Sequence, residues 1–105
     1  MNDRIWDIVS KWGFKKLSNV DYDFISFSLH KNRTRFIFEI SRLRQELLFT
    51  IQFLSEDNEI KYQFRRTNKL EFLNDLPNEN LRYILKDIIE EGILKVYRYM
   101  IFKEK

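Results

Sequence analysis

The sequence predicts an α+β protein in which a four-stranded antiparallel meander is flanked by an N-terminal and a C-terminal helix. Between residues 22 and 67, apolar and polar residues alternate in four successive runs, which is the pattern of half-buried strands. Before and after these runs, apolar residues recur every three to four positions, which is the pattern of amphipathic helices. A chain of 105 residues that is 44% hydrophobic can bury one modest core, so we expect residues 1–105 to form a single domain.

The first helix is indicated by four apolar residues at the spacing of one helical face, Ile5, Ile8, Val9 and Trp12. Asn2 or Asp3 is suited to cap its start, and Gly13 stands where a helix-ending glycine is expected. A polar connection then leads into the first strand.

Short connections between the strands predict a register for the sheet. We assume two-residue turns at Asn32-Arg33, Leu43-Arg44 and Glu56-Asp57. One face then carries a row of four rings across the sheet, Phe27, Phe38, Phe49 and Phe64. We expect this row to be buried, because ring pairs across strands are favourable. The opposite face is mostly polar, as is usual for an antiparallel sheet with one solvated side.

The C-terminal helix should begin near Asn78, after the helix-breaking Pro77. Its buried stripe is predicted to consist of Leu81, Ile84, Leu85, Ile88 and Ile89. Gly92 is expected to end it, which leaves residues 93–102 as either more helix or a fifth strand. A helix from 78 to 102 would be about 37 Å long, whereas an eight-residue strand spans only about 27 Å. This mismatch favours the fifth strand, and both helices should cover the aromatic face.

Several classes of function lack their sequence signatures. The chain has no cysteine, so it has neither disulfides nor thiolate metal ligands. No apolar run approaches membrane-spanning length and charges interrupt the N-terminus, so we expect a cytoplasmic location and no membrane partner. Phosphate-binding glycine loops, HExxH and GxSxG patterns do not occur. We therefore expect no enzymatic activity, no cofactor and no metal site.

A metal-independent ribonuclease is the least favoured of the functions considered. His30, the single histidine, lies on the predicted polar face with Arg35, Glu39 and Arg65. Arg35 and Glu39 are four residues apart on one strand, which corresponds to about 13 Å. An acid and a base must each reach the same phosphate, and that separation is too large.

Positive charge is concentrated in the strand region. The net charge is 0 for residues 1–30, +4 for residues 31–69 and −1 for residues 70–105. The predicted register gathers five basic residues at one end of the sheet, Arg42, Arg44, Arg65, Arg66 and Lys69. This cluster predicts contact with nucleic acid or with a nucleic-acid-handling complex, with Tyr22 and Phe24 placed to stack on bases. Arginines at turns and edge strands also protect sheets from aggregation, which is the simpler explanation of the cluster.

The polar face suggests a different partner. Phe24, Ile37 and Leu48 are apolar residues on that face, and Arg35 lies among them. Such residues can form the centre of a protein interface, although scattered apolar side chains are also normal on surfaces. The alternative function is therefore a small inhibitor or adaptor, of immunity or anti-defence type, that binds one target protein. The identity of the partner and the oligomeric state stay open.

Overall fold

The computed structural model of the protein describes residues 3–17 and 24–103, and it confirms the α+β fold class. Its helices are Asp3–Ser10 (α1), Leu70–Asn74 (α2) and Asn78–Lys103 (α3). Its strands are Lys15–Lys16 (β1), Phe24–Lys31 (β2), Thr34–Ser41 (β3), Glu46–Leu54 (β4) and Ile60–Lys69 (β5). The strands form one antiparallel sheet in the order β1-β2-β3-β4-β5, so the additional fifth strand precedes the four predicted ones.

The first two hairpins have the predicted register. Phe27 lies opposite Phe38, and Phe38 lies opposite Phe49. The predicted turn at Leu43-Arg44 is wrong in length, since four residues, 42–45, separate β3 from β4. Adding one residue to each side of the turn leaves the pairing of the strands unchanged.

The predicted pairing of β4 with β5 is wrong by two residues. Phe49 lies opposite Arg66, while Phe64 lies opposite Ile51 and is only half-buried. The cause is a five-residue loop, 55–59, together with an irregularity in the ladder at Phe53 and Leu54. An even shift keeps every side chain on its predicted face but moves it along the strand.

Ser55 holds that loop together. Its backbone N–H donates to the carbonyl of Glu59 (2.8 Å), and its carbonyl accepts from the N–H of Asn58 (3.0 Å). Its hydroxyl oxygen accepts from the N–H of Glu59 (3.1 Å). Asn58 has φ +64°, a left-handed conformation that asparagine tolerates better than most residues.

Helices α1 and α3 pack on the aromatic face, as predicted. Trp6 of α1 stacks on Phe27 at 5.1 Å between ring centroids. Phe38, at the centre of the sheet, lies 5.3 Å from Phe14 and 4.9 Å from Phe49 by the same measure. The guanidinium of Arg4 ties α1 to the joint between α2 and α3, where it donates to Asn74 O, Leu76 O and Asn78 Oδ1.

The prediction that Gly92 ends the last helix and is followed by a strand is wrong. Helix α3 runs through Gly92 without interruption to Lys103. A Cβ atom on Gly92 would lie 2.7 Å from Phe49 Cε2 and 3.1 Å from Ile51 Cγ2. The glycine therefore permits the helix backbone to lie directly on the sheet. Further along α3, the ring of Tyr99 stacks on that of Tyr62 at 4.9 Å.

Among the helices in residues 3–17 and 24–103, none combines the length and the apolar character needed to span a membrane.

Candidate nucleic-acid interface

The sheet has two chemically different faces. All three helices place buried side chains in the core on the aromatic face, whereas the side chains of the other face, here called the open face, alternate with these. The alternation is plain along β5, where Gln63, Arg65, Thr67 and Lys69 are exposed and the residues between them are half-buried. Along β5 the open face is therefore accessible, whereas Ser26, Ser41, Thr50 and Gln52 on the central strands of that face are buried.

The open face carries an excess of positive charge. Among the described residues away from the ladder irregularity at Phe53 and Leu54, its basic side chains come from β1, β3 and β5, and they are Lys15, Arg35, Arg65 and Lys69. The acidic side chains of the same part of the face are Glu39 of β3 and Glu46 of β4. Arg65 lies opposite Thr50, in the same row as Ile37, Ser28 and Lys15. Two cations thus stand at the two edges of one row, with neutral residues between them.

A hydrogen-bonded chain crosses the open face in the neighbouring row. Arg35 Nη1 donates to Gln52 Oε1 (3.3 Å), and Gln52 Nε2 donates to Gln63 Oε1 (2.7 Å). Gln52 is buried between its neighbours, whereas Gln63 is exposed. The chain holds the guanidinium of Arg35 on the sheet surface and leaves donors of that group available to a ligand.

The turn at residues 42–45 displays the basic end of the sheet. Ser41 Oγ accepts from the backbone N–H of Arg44 (3.0 Å), and Gln45 Nε2 donates to the carbonyl of Arg42 (2.6 Å). The carbonyl of Gln45 also accepts from the N–H of Leu70 (2.9 Å), which joins the turn to α2. Arg42 and Arg44 are exposed on this well-defined turn.

The structure separates the five basic residues that the predicted register brought together. Arg42, Arg44 and Lys69 share one end of the sheet. The register shift places Arg65 opposite Thr50 rather than Leu48, two residues further from the turn, and Lys69 lies about 13 Å away along the same strand. It belongs to the middle of the open face rather than to its end.

Arg66 is on the other side of the sheet. It faces α3, where its Nη1 lies 3.6 Å from Asp87 Oδ2 and 3.5 Å from Glu91 Oε1. Both carboxylates form ion pairs with the guanidinium, so Arg66 links β5 to α3. Adjacent arginines on β5 thus have different surroundings, because successive side chains of a strand point to opposite faces.

The apolar residues proposed for a protein interface do lie on the open face. Ile37 and Leu48 are half-buried on adjacent strands, with Ile37 opposite Thr50 and Leu48 opposite Glu39. Phe24 is half-buried at the end of the face that Lys69 shares. Tyr22 lies outside the described residues.

The opposite end of the sheet is less suited to an anion. Arg33 Nε donates to the carbonyl of Leu54 (3.1 Å), and its guanidinium carbon lies 5.5 Å from the centroid of the Phe53 ring. The 55–59 loop adds three carboxylates there, one of which lies 3.8 Å from Lys61 Nζ. Lys31 and Arg33 are thus part of a hairpin whose charges are locally balanced.

The residues considered for a nuclease keep their predicted separation. His30 lies opposite Arg35, while Glu39 is four residues further along β3, or about 13 Å. Within residues 3–17 and 24–103, no three histidine or acidic side chains are grouped so that they could hold a metal ion.

Lys15 is a residue of the open face that sequence reasoning missed. It belongs to β1, which has only two residues and therefore shows no alternating pattern. The pairing of Lys15 with Ser28 places it at the edge of the sheet. Only the polar, basic character of the connection before β2 hinted at its exposure.

No protein-family model matches the chain, and no curated protein or solved structure matches it either.

Proposed function

We propose that the protein is a non-enzymatic binding protein that contacts nucleic acid, free or within a larger complex, through the basic open face of its sheet. The observation that carries this proposal is the contrast between Arg65 and Arg66. Two carboxylates of the protein neutralise Arg66, whereas Arg65 is exposed on the open face. An exposed cation of this kind suits a polyanion.

The spacing of the cations fits an extended phosphate backbone. Arg35 and Arg65 lie two strands apart and in neighbouring rows, or about 12 Å from each other, and Lys69 is about 13 Å from Arg65. Arg42 and Arg44 are exposed on the turn beyond the end of the strands, where Arg42 lies on the helix side and lines a cavity with Arg4 and Leu70. A flexible single strand can meet such spread charges by bending.

The open face offers little for reading bases. Among its described residues, Phe24 is the one aromatic side chain, and it is half-buried. Base stacking is a main source of affinity in single-strand-binding proteins, so its scarcity here implies that phosphate contacts dominate. We therefore expect weak sequence preference and a strong dependence on salt.

A second candidate is the inhibitor or adaptor that binds one protein. Ile37, Leu48 and Phe24 are the apolar part of the same face, and Arg35 lies beside them as a hydrogen-bond donor. An interface centred on apolar residues would respond weakly to salt, which distinguishes it from phosphate binding.

The proposal is tested by fluorescence anisotropy with labelled single-stranded DNA and RNA over a range of salt concentrations. We expect a log–log salt slope of a few units, because each neutralised phosphate contributes about 0.7 to 0.9. Arg44→Glu with Arg65→Glu should abolish this binding while the fold is retained, because both residues are exposed.

The matched control is Lys11→Glu with Arg82→Glu, two exposed residues outside the sheet that undergo the same change of charge. This variant should keep most of the wild-type affinity. Equal losses in both double variants would mean that net charge, rather than the open face, governs binding. No affinity of the wild type at low salt would discard nucleic-acid binding and leave the protein-binding function first.

A further inference from the structure

The C-terminal part of α3 exposes a continuous apolar stripe. Its members are between 41% and 60% exposed, and they are Ile93, Leu94, Tyr97, Met100 and Ile101. The buried residues of α3 that face the sheet, which include Leu85, Ile88 and Val96, lie on the opposite side of the same helix. Leu94, Tyr97 and Ile101 therefore point away from the core, and core packing does not explain them, whereas Ile93 lies at the border of the core, where it lines a cavity with Phe36 and Val96.

The stripe follows the spacing of a helix seam. Glu90, Leu94, Tyr97 and Ile101 are separated by four, three and four residues, which is the repeat of the central positions in a coiled coil. Ile93 and Met100 flank this seam on one side, and Glu91 and Arg98 flank it on the other. One flank is thus apolar, while the other carries one negative and one positive charge.

We propose that a second copy of this chain covers the stripe, with the two α3 helices packed antiparallel around a two-fold axis. In this arrangement like flanks face each other across the seam. Ile93 of one copy meets Met100 of the other, Leu94 meets Tyr97, and Glu91 meets Arg98. Glu90 meets Ile101 at each end of the seam, where its exposed carboxylate remains in solvent, unlike a charge at the central position 97. Each of these pairs occurs twice because of the two-fold symmetry.

The flanking charges select this orientation. In a parallel pair, the apolar flank of each helix would face the charged flank of the other, so Ile93 would lie near Arg98. The antiparallel pair instead joins apolar to apolar and Glu91 to Arg98. Glu91 already lies 3.5 Å from Arg66 Nη1, and its side chain is 41% exposed, so its carboxylate is positioned and still accessible.

The size of the stripe sets the strength expected of the dimer. Residues 93–101 make about two and a half helical turns. A helix face of that length buries less area than the roughly 800 Å² per partner that is typical of a stable complex. We therefore expect a reversible dimer that is populated at micromolar concentrations. Its open faces point outward on both sides, because α3 and the open face lie on opposite sides of each sheet.

The first test is sedimentation velocity of the full chain between about 5 and 200 µM, a range chosen to span micromolar dissociation. The wild type should show a concentration-dependent shift from monomer to dimer. Tyr97→Glu buries a charge without a partner in the seam and should weaken the dimer by more than about tenfold. Tyr83→Glu is the matched control, since Tyr83 is 72% exposed on the same helix but lies outside the stripe, and it should dimerise like the wild type.

The second test determines the orientation. The chain has no cysteine, so Leu94→Cys and Tyr97→Cys each introduce a single thiol. When the two variants are mixed and oxidised, the antiparallel pair predicts that mixed disulfides form faster than either homodimer.

Three results would overturn the proposal. They are a wild type that stays monomeric at every concentration, a dimer that tolerates Tyr97→Glu, and homodimeric Leu94→Cys disulfides that form fastest. None of them bears on nucleic-acid binding, because the open face and the stripe share no residue.

Discussion

At Gly92, the low helix propensity of glycine and the tertiary packing of the protein favour different structures. A glycine in a helix costs about 1 kcal/mol relative to alanine, and this cost led us to expect a helix end there. The sheet overrides the preference, since the backbone at Gly92 lies against the rings and methyl groups of the core. From the sequence alone, a glycine that ends a helix and a glycine that admits a close contact look the same.

Gly92→Ala should therefore destabilise the protein, although alanine is the better helix former. The new Cβ would overlap Phe49, which is fully buried and packed against Phe38, so neither ring can move without disturbing the other. Overpacking of this kind costs about 1–3 kcal/mol, which exceeds the helix gain of about 1 kcal/mol. Urea denaturation monitored by circular dichroism measures the difference. A higher free energy of unfolding in the variant would show that α3 does not lie so close to the sheet.

At the scale of elements, the periodicity of the sequence was sufficient for β2, β3 and β4. Their faces, their order and their register were all predicted, because an apolar face allows no slip by a single residue. The periodicity was insufficient to place β5, because a shift of the strand by two residues keeps every side chain on its face. Only the hydrogen bonds around Ser55 decide between those two registers, and turn composition gives little warning of them.

The same comparison explains what could be predicted of the site. The polar face and its basic residues followed from alternation, but the position of Arg65 depended on the misjudged loop. The role of Arg66 required knowing that α3 continues beside β5 and brings Asp87 and Glu91 to it. Two errors in the elements, the register of β5 and the end of α3, thus account for the separation of the predicted cluster.

The corrected register predicts unequal effects for two phenylalanines that the sequence treated alike. Phe38→Ala should cost about 3–5 kcal/mol, because its ring is fully buried among Phe14 and Phe49. Phe64→Ala should cost clearly less, because its half-buried ring is covered in part by Lys95, whose Nζ lies 5.5 Å from the ring centroid. Guanidinium unfolding of both variants provides the comparison. Equal losses would favour the original register, in which Phe64 belongs to the buried row.

At the scale of the whole molecule, the sheet divides two kinds of surface. Helices α1 and α3 cover the aromatic face, and the acidic residues Asp87 and Glu91 of α3 neutralise the arginine that points toward them. Among the described residues that pair regularly, the open face has four basic side chains against two acidic ones, Lys15, Arg35, Arg65 and Lys69 against Glu39 and Glu46. These side chains sum to +2, which is most of the chain's net charge of +3.

The most direct test of nucleic-acid binding by the open face compares Arg65→Gln with Arg66→Gln. The two residues are neighbours on β5 and lose the same charge, but they face opposite sides of the sheet. The measurement is the salt dependence of affinity for a labelled single strand. Arg65→Gln should weaken binding and lower the log–log slope by about 0.7 to 0.9, whereas Arg66→Gln should leave both unchanged. Equal effects of the two substitutions, or a larger effect of Arg66→Gln, would contradict the assignment of the binding surface to the open face.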